Sequence, residues 1–113
     1  MSCKIITYPL FERSIKKLGK KYRSIKDDYQ RLLNELNENP LTGSDLGRGL
    51  HKVRMAISAK GKGKSGGARV ITLIISYNKE NAEIGLLYLY DKSERETLTD
   101  AELTRILQLN DLL

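Results

Sequence analysis

Lys52 and Arg54 stand two residues apart, Arg69 follows fifteen residues later, and between them runs Ala59-Lys-Gly-Lys-Gly-Lys-Ser-Gly-Gly-Ala68. Side chains of this kind do one sort of chemistry well: they grip phosphate oxygens and neutralise negative charge developing on them. Gly63-Lys64-Ser65 also invites comparison with a nucleotide-binding P-loop. That motif needs Gly, four residues, then Gly-Lys-Ser/Thr, leading from a strand directly into a helix. Here Ser58 occupies the place of the first glycine, and the segment continues into Arg69-Val-Ile-Thr-Leu-Ile-Ile, a β-branched run that reads as a strand. No helix N-terminus follows to hold a phosphate, so the P-loop is rejected.

The charge distribution points the same way as the residue types. The 113 residues carry 20 Lys and Arg against 14 Asp and Glu, a net of +6. From Leu46 to Lys79 there are eight cations (Arg48, Lys52, Arg54, Lys60, Lys62, Lys64, Arg69 and Lys79) and no acid, so the remainder is net −2. Solubility alone favours interspersed signs, whereas a single-sign window suits an anionic partner, nucleic acid above all. The plain alternative is a one-sided solvated surface.

Length and composition bound the rest. The chain is expected to form one domain, residues 1–113, around a single core. No apolar run approaches the roughly 20 residues of a membrane span, and Met-Ser-Cys-Lys-Ile-Ile-Thr-Tyr-Pro at the start does not read as a signal peptide. With one cysteine, Cys3, and one histidine, His51, no disulfide framework exists and a structural zinc is nearly excluded. The expectation is a cytoplasmic protein with no metal, no cofactor and no membrane partner.

Periodicity predicts the secondary structure around these cations. Lys4-Ile5-Ile6-Thr7 predicts a short strand, and Tyr8-Pro9 opens a helix with Pro9 in its first turn. Phe11, Ile15, Leu18 and Tyr22 fall on one helical face opposite Lys16, Lys17, Lys20 and Lys21. Those lysines read as a solvated face, with ribosomal RNA contact as the other option. Ser24 with Asp27 suggests a cap for a second helix carrying Ile25, Tyr29, Leu32, Leu33 and Leu36, ended by Asn39-Pro40. Residues 41–49 read as a loop. Leu50 to Ser58 alternates as a strand, and residues 69–77 and 83–90 read as central strands joined by an Asn78–Asn81 hairpin turn. Thr99 with Glu102 is a capping box for a short terminal helix bearing Leu103, Ile106 and Leu107. The predicted fold is α+β, order β-α-α-β-β-β-α: an antiparallel sheet with the helices, led by the N-terminal helical hairpin, on one face.

In this arrangement residues 59–67 form a hairpin connection whose glycines let backbone approach a ligand and whose lysines lie on a mobile rim. Lys52 and Arg54 leave the same sheet face about 7 Å apart. Arg69 meets them if the hairpin register allows, which the sequence leaves open. His51 sits beside Lys52, but alternation places it with Val53, Met55 and Ile57 toward the helices, so a structural role outweighs a catalytic one. Tyr88 and Tyr90 share a strand face; core packing is the leading reading and stacking on a base the lesser one.

"GLHKVRMA", then "GKGKSGGARVITLI", then "LYLYDKSE", resemble the RelE/HigB branch of bacterial toxins from type II toxin–antitoxin modules. "FERSIKKLGKKY" and "NPLTGSDLGRGL" resemble it too, and the likeness spans nearly the whole chain. It implies the RelE/ParE fold, ribosome-dependent endoribonuclease cleavage of mRNA that inhibits translation, and neutralisation by a cognate antitoxin. It implies contact with operator DNA only through the toxin–antitoxin complex. Carried over position by position, Lys52, Arg54, Arg69 and Lys92 match the family's basic catalytic positions. Lys60, Lys62, Lys64 and Arg48 are the expected RNA-binding cations. The sequence departs from some members after Lys92, where Ser93 stands in place of a further arginine and no aromatic follows Tyr90.

Such a site works on RNA's own 2′-hydroxyl nucleophile, holding it in line and stabilising a phosphorane. Arg54 and Arg69 suit the phosphate clamp, and Lys52, crowded by cations, is the candidate for proton transfer. Asp91 and Glu94 are the acidic alternatives. Two other functions remain: a ParE-type gyrase inhibitor sharing the fold, and a non-catalytic nucleic-acid-binding module.

Overall fold

A computed structural model describes residues 2–113. The chain runs β1 (Ser2–Thr7), α1 (Pro9–Lys21), α2 (Ile25–Glu38), β2 (Ser44–Gly47), β3 (Leu50–Met55), a 3-10 turn (Ser58–Lys60), β4 (Ala68–Tyr77), β5 (Asn81–Asp91) and α3 (Asp100–Leu109). Pro9 takes the first helical turn, as its fixed φ favours. Thr99 and Glu102 form a reciprocal capping box at α3, and Asn78 turns the β4–β5 hairpin by accepting from the amides of Glu80 and Asn81.

The five strands lie in the order β1-β5-β4-β3-β2. Three neighbouring pairs are antiparallel, but β1 runs parallel to β5, so the sheet is mixed rather than antiparallel throughout. The cause lies in the helical hairpin, which separates β1 from the strands that follow in sequence; β1 then pairs with the last strand instead of the next. Two smaller expectations also change. Ser44–Gly47, read as loop, pairs with β3 as a short edge strand, and the strand predicted to run to Ser58 ends at Met55, where the chain turns into the 3-10 segment.

The helices do not share one face. Phe11, Leu18, Ile25, Leu32 and Leu36 of α1 and α2 pack on Val53, Met55, Val70, Ile84 and Leu86. Leu103, Ile106 and Leu107 of α3 pack on Leu50, Ile71, Leu87 and Tyr90 on the opposite side. Strands β4 and β5 are apolar on both faces, and each face needs a cover. A register shift between the Ile71–Tyr88 and Thr72–Leu86 pairs sends Leu87 to the α3 side. That side is the one from which the cations project.

Candidate phosphate-binding site on the sheet

The register of β3 on β4 answers what the sequence left open. Arg54 stands directly opposite Arg69, Lys52 opposite Ile71, and Arg69 in turn opposite Tyr90 on β5. Directly paired antiparallel residues share a face, so Lys52, Arg54 and Arg69 leave the sheet together. Helix α3 packs on Leu50, Ile71, Leu87 and Tyr90 of this face, and Arg54 stays exposed beside the glycine-rich loop.

Arg69 is 5% exposed. Its guanidinium donates only to backbone carbonyls: Nη1 to Lys64 O and Ala68 O, each at 3.0 Å, and Nη2 to Ser65 O at 3.2 Å. Lys92 Nζ donates to the same Ser65 oxygen at 3.0 Å. One loop carbonyl therefore brings together a cation from β4 and one from just beyond β5. Neutral carbonyls orient these groups without cancelling their charge. Burial, and then the neighbouring Arg54, destabilise the charged form of Arg69 and lower its pKa from the usual arginine range. None of the ion pairs among the described residues involves Lys52, Arg54, Arg69 or Lys92. The arrangement is a set of four positive side chains without counter-ions, suited to an anion.

The other predicted cations scatter. Lys60 does not lie on the rim: its Nζ turns inward to Asp91 Oδ1 at 2.5 Å and Gly66 O at 3.0 Å. An ammonium on a glycine-rich loop finds a buried carboxylate beneath it, and desolvated opposite charges attract strongly. Lys64 pairs with Glu35 of α2 at 2.8 Å. Arg48 sits in the β2–β3 turn with φ 57° and donates to Thr104 of α3 at 2.9 Å, at the opposite end of β3 from the loop. Lys62 and Lys64 are both exposed on the loop, but of the two only Lys64 is paired to a carboxylate among the described residues.

Asp91, the first of the acidic alternatives, is engaged within the fold. Its fully buried carboxylate takes Lys60 Nζ, the Ser93 amide (2.9 Å), the Ser93 hydroxyl (2.8 Å) and the Tyr22 hydroxyl (2.8 Å). Burial by itself would raise its pKa, but these donors more than offset that and hold it far below the usual carboxylate range. Glu94 lies exposed, 3.6 Å from Lys21. His51 is half-buried with Nδ1 3.3 Å from Thr42 O, on the strand side of Val53 and Met55 as alternation predicts. Tyr90 is 4% exposed, and its ring stacks on Tyr88 with centroids 5.8 Å apart. The Tyr90 hydroxyl is buried with no partner among the described residues; burial raises its pKa, opposed by Arg69 and Arg95.

Asp28, which the sequence pattern did not single out, and Ser24, read from sequence only as a cap, hold the entry of the loop. Asp28, 2% exposed on α2, accepts from the Ser58 amide and hydroxyl, the Ser24 hydroxyl and Arg31. Ser24, expected to cap α2, instead bonds Asp28 and receives the Ala59 amide. The available signal was Asp28 itself, a carboxylate falling on the apolar stripe of its helix between Ile25 and Leu32. Beside the site, where β1 stops, α1 and the upper part of β5 enclose a groove of about 530 Å³, bordered by Arg13, Lys17, Lys20, Lys21, Tyr88 and Tyr90.

Fold and site together define a class: a small α+β domain with a five-stranded mixed sheet that presents uncompensated cations on one face. The family model described as "RelE toxin of RelE / RelB toxin-antitoxin system" matches residues 9–113. The chain therefore belongs to the RelE toxin family, the toxin half of a toxin–antitoxin module, whose members pair with a cognate antitoxin. No match to a curated protein was found. Among the described residues, no helix is long and apolar enough to cross a membrane.

Proposed function

We propose that this toxin is an endoribonuclease that cuts mRNA on the ribosome, in the cytoplasm, and so stops translation. The observation that carries the reading is the Arg54–Arg69 pair, side by side across two strands, with Lys92 held on the same carbonyl as Arg69 and no carboxylate paired to any of them. A gyrase inhibitor acting through protein contact does not need that trio of Lys52, Arg54 and Arg69.

In the reaction, the 2′-oxygen attacks the adjacent phosphorus, and the bond to the 5′-oxygen of the next nucleotide breaks. A cyclic phosphate and a 5′-hydroxyl result. One proton leaves the 2′-hydroxyl and one reaches the departing 5′-oxygen. Arg54 and Arg69 grip the non-bridging oxygens as charge accumulates on the phosphorane, a contribution commonly on the order of 100-fold or more per donor. Lys52, two residues from Arg54 on the same face, is assigned to proton transfer, and Lys92 to the charge on the leaving side. Lys62 adds a phosphate contact from the loop. The cognate antitoxin covers this cationic face, and the pair together contacts operator DNA.

Primer extension on messages translated in the presence of the purified chain tests the proposal. Discrete cuts within translated regions are expected, with Arg69→Ala reducing them by about 100-fold or more. Intact message accompanied by DNA damage would instead identify a gyrase inhibitor. Normal growth arrest by a well-folded Arg69→Ala variant removes Arg69 from the mechanism.

A further inference from the structure

The glycine-rich loop is tied down at both ends by buried carboxylates. Asp28 binds its entry through the amide and hydroxyl of Ser58. At its exit, Lys60 reaches back under the loop to bridge Gly66 O and Asp91, and the Lys92 amide donates to Gly67 O at 3.1 Å. Between these anchors lie the carbonyls of Lys64 and Ser65, which receive Arg69 and Lys92.

We propose that Lys60 and Asp91 are positioning residues: their buried ion pair fixes Gly66, and through it the Ser65 carbonyl that aims Arg69 and Lys92 at the substrate phosphate. The inference rests on the nuclease reading of that site. Lys60 acts through the loop and does not touch RNA. Three features of the geometry support this. Gly66 is the residue next to Ser65, so a displacement of one carbonyl is passed directly to the other. The Lys60 ammonium is also seated 5.5 Å over the Tyr22 ring, whose hydroxyl is bonded to Asp91, so the pair is held from α1 as well as from β5. A buried ion pair is also a costly way to close a loop, since well-packed apolar residues of the same volume stabilise as well or better. What an apolar pair cannot do is direct a carbonyl.

The double variant Lys60→Met/Asp91→Asn separates positioning from folding. It removes both charges while Asn keeps an acceptor for Ser93 and a donor for the Tyr22 hydroxyl. Expected are a melting temperature close to wild type, faster amide hydrogen exchange confined to residues 61–67, and a cleavage rate constant reduced on the order of 100-fold at unchanged KM for programmed ribosomes. Lys60→Gln/Asp91→Asn serves if that double variant does not fold, since it too leaves no buried charge alone, and is expected to show the same split between kcat and KM. Wild-type kcat in a folded variant, or unaltered exchange in the loop, overturns the proposal. Arg69→Ala assayed in parallel tells the two readings apart. Full cleavage by Arg69→Ala sinks the nuclease site itself. Loss with Arg69→Ala but not with the folded double variant sinks only the positioning role. If wild type cuts no message, the exchange rates alone decide whether the pair holds the loop.

Discussion

Arg54 and Arg69 oppose each other with no carboxylate between them, and like charges directly across a strand pair cost roughly 0.2–1 kcal/mol. Residues kept at a cost to stability are where function is expected to show in mutation. Arg54, on the exposed side of the pair, gives the cleaner case. Arg54→Gln is expected to lose message cleavage while its thermal midpoint stays level or rises by a few degrees, measured by calorimetry beside the cleavage assay. The buried carboxylates make a different demand. Asp91 and Asp28 are both held below the usual carboxylate value by their donors, against the opposing effect of burial. The folded state thus takes up protons less readily than the unfolded chain. The stability they contribute is complete above about pH 4 and drains away as pH falls from there toward their lower folded values. Midpoints measured from pH 6 downward should drop below about pH 4, and Asp91→Asn should flatten part of that slope. An unchanged slope would mean that Asp91 titrates alike in both states.

At the scale of elements, the loop from Ser58 to Gly67 decides whether the cations form a site. Gly67 lies so close to β3 that an added Cβ would stand 2.2 Å from Met55 O and 2.9 Å from Ile57 N. Backbone cannot yield as a side-chain tip can. Gly67→Ala is expected to cost about 1–3 kcal/mol and to lift the loop from β3, lowering both the midpoint and the cleavage rate. A variant with wild-type values for both would show that the close approach is dispensable. Helix α3 depends on its start: Thr99→Ala breaks the capping box and should cost about 1 kcal/mol, read as a small loss in urea unfolding free energy without loss of cleavage.

Across the whole molecule, two apolar sheet faces are each closed by helices, α1 and α2 on one side and α3 on the other. Beside the loop, Arg54 stays exposed, Lys52 and Lys92 are half-buried, and Arg69 is buried. The excess charge gathered there predicts strong salt dependence. If Lys52, Arg54, Arg69 and Lys92 each meet a phosphate of single-stranded RNA, the logarithm of affinity should fall with the logarithm of salt at a slope near −3. Titration of a short oligonucleotide at several salt concentrations measures it, and a slope near zero would contradict phosphate contact by these groups.

Much of this was legible in the chain before folding. Helical stripes, the capping box, the acid-free window and the Lys52–Arg54 spacing follow from local rules of periodicity, capping and charge, which act over a few residues. Lys60 and Lys64, by contrast, look like Lys62 in sequence, and only their distance from Asp91 and Glu35 in space separates two lysines paired to a carboxylate from one that is not. The same holds for β1, whose partner lies some eighty residues away, and for α3, whose face is chosen by which apolar surface the other helices leave uncovered. Local sequence set which residues could bind a phosphate. Long-range register and burial decided which of them are left without a counter-ion to do so.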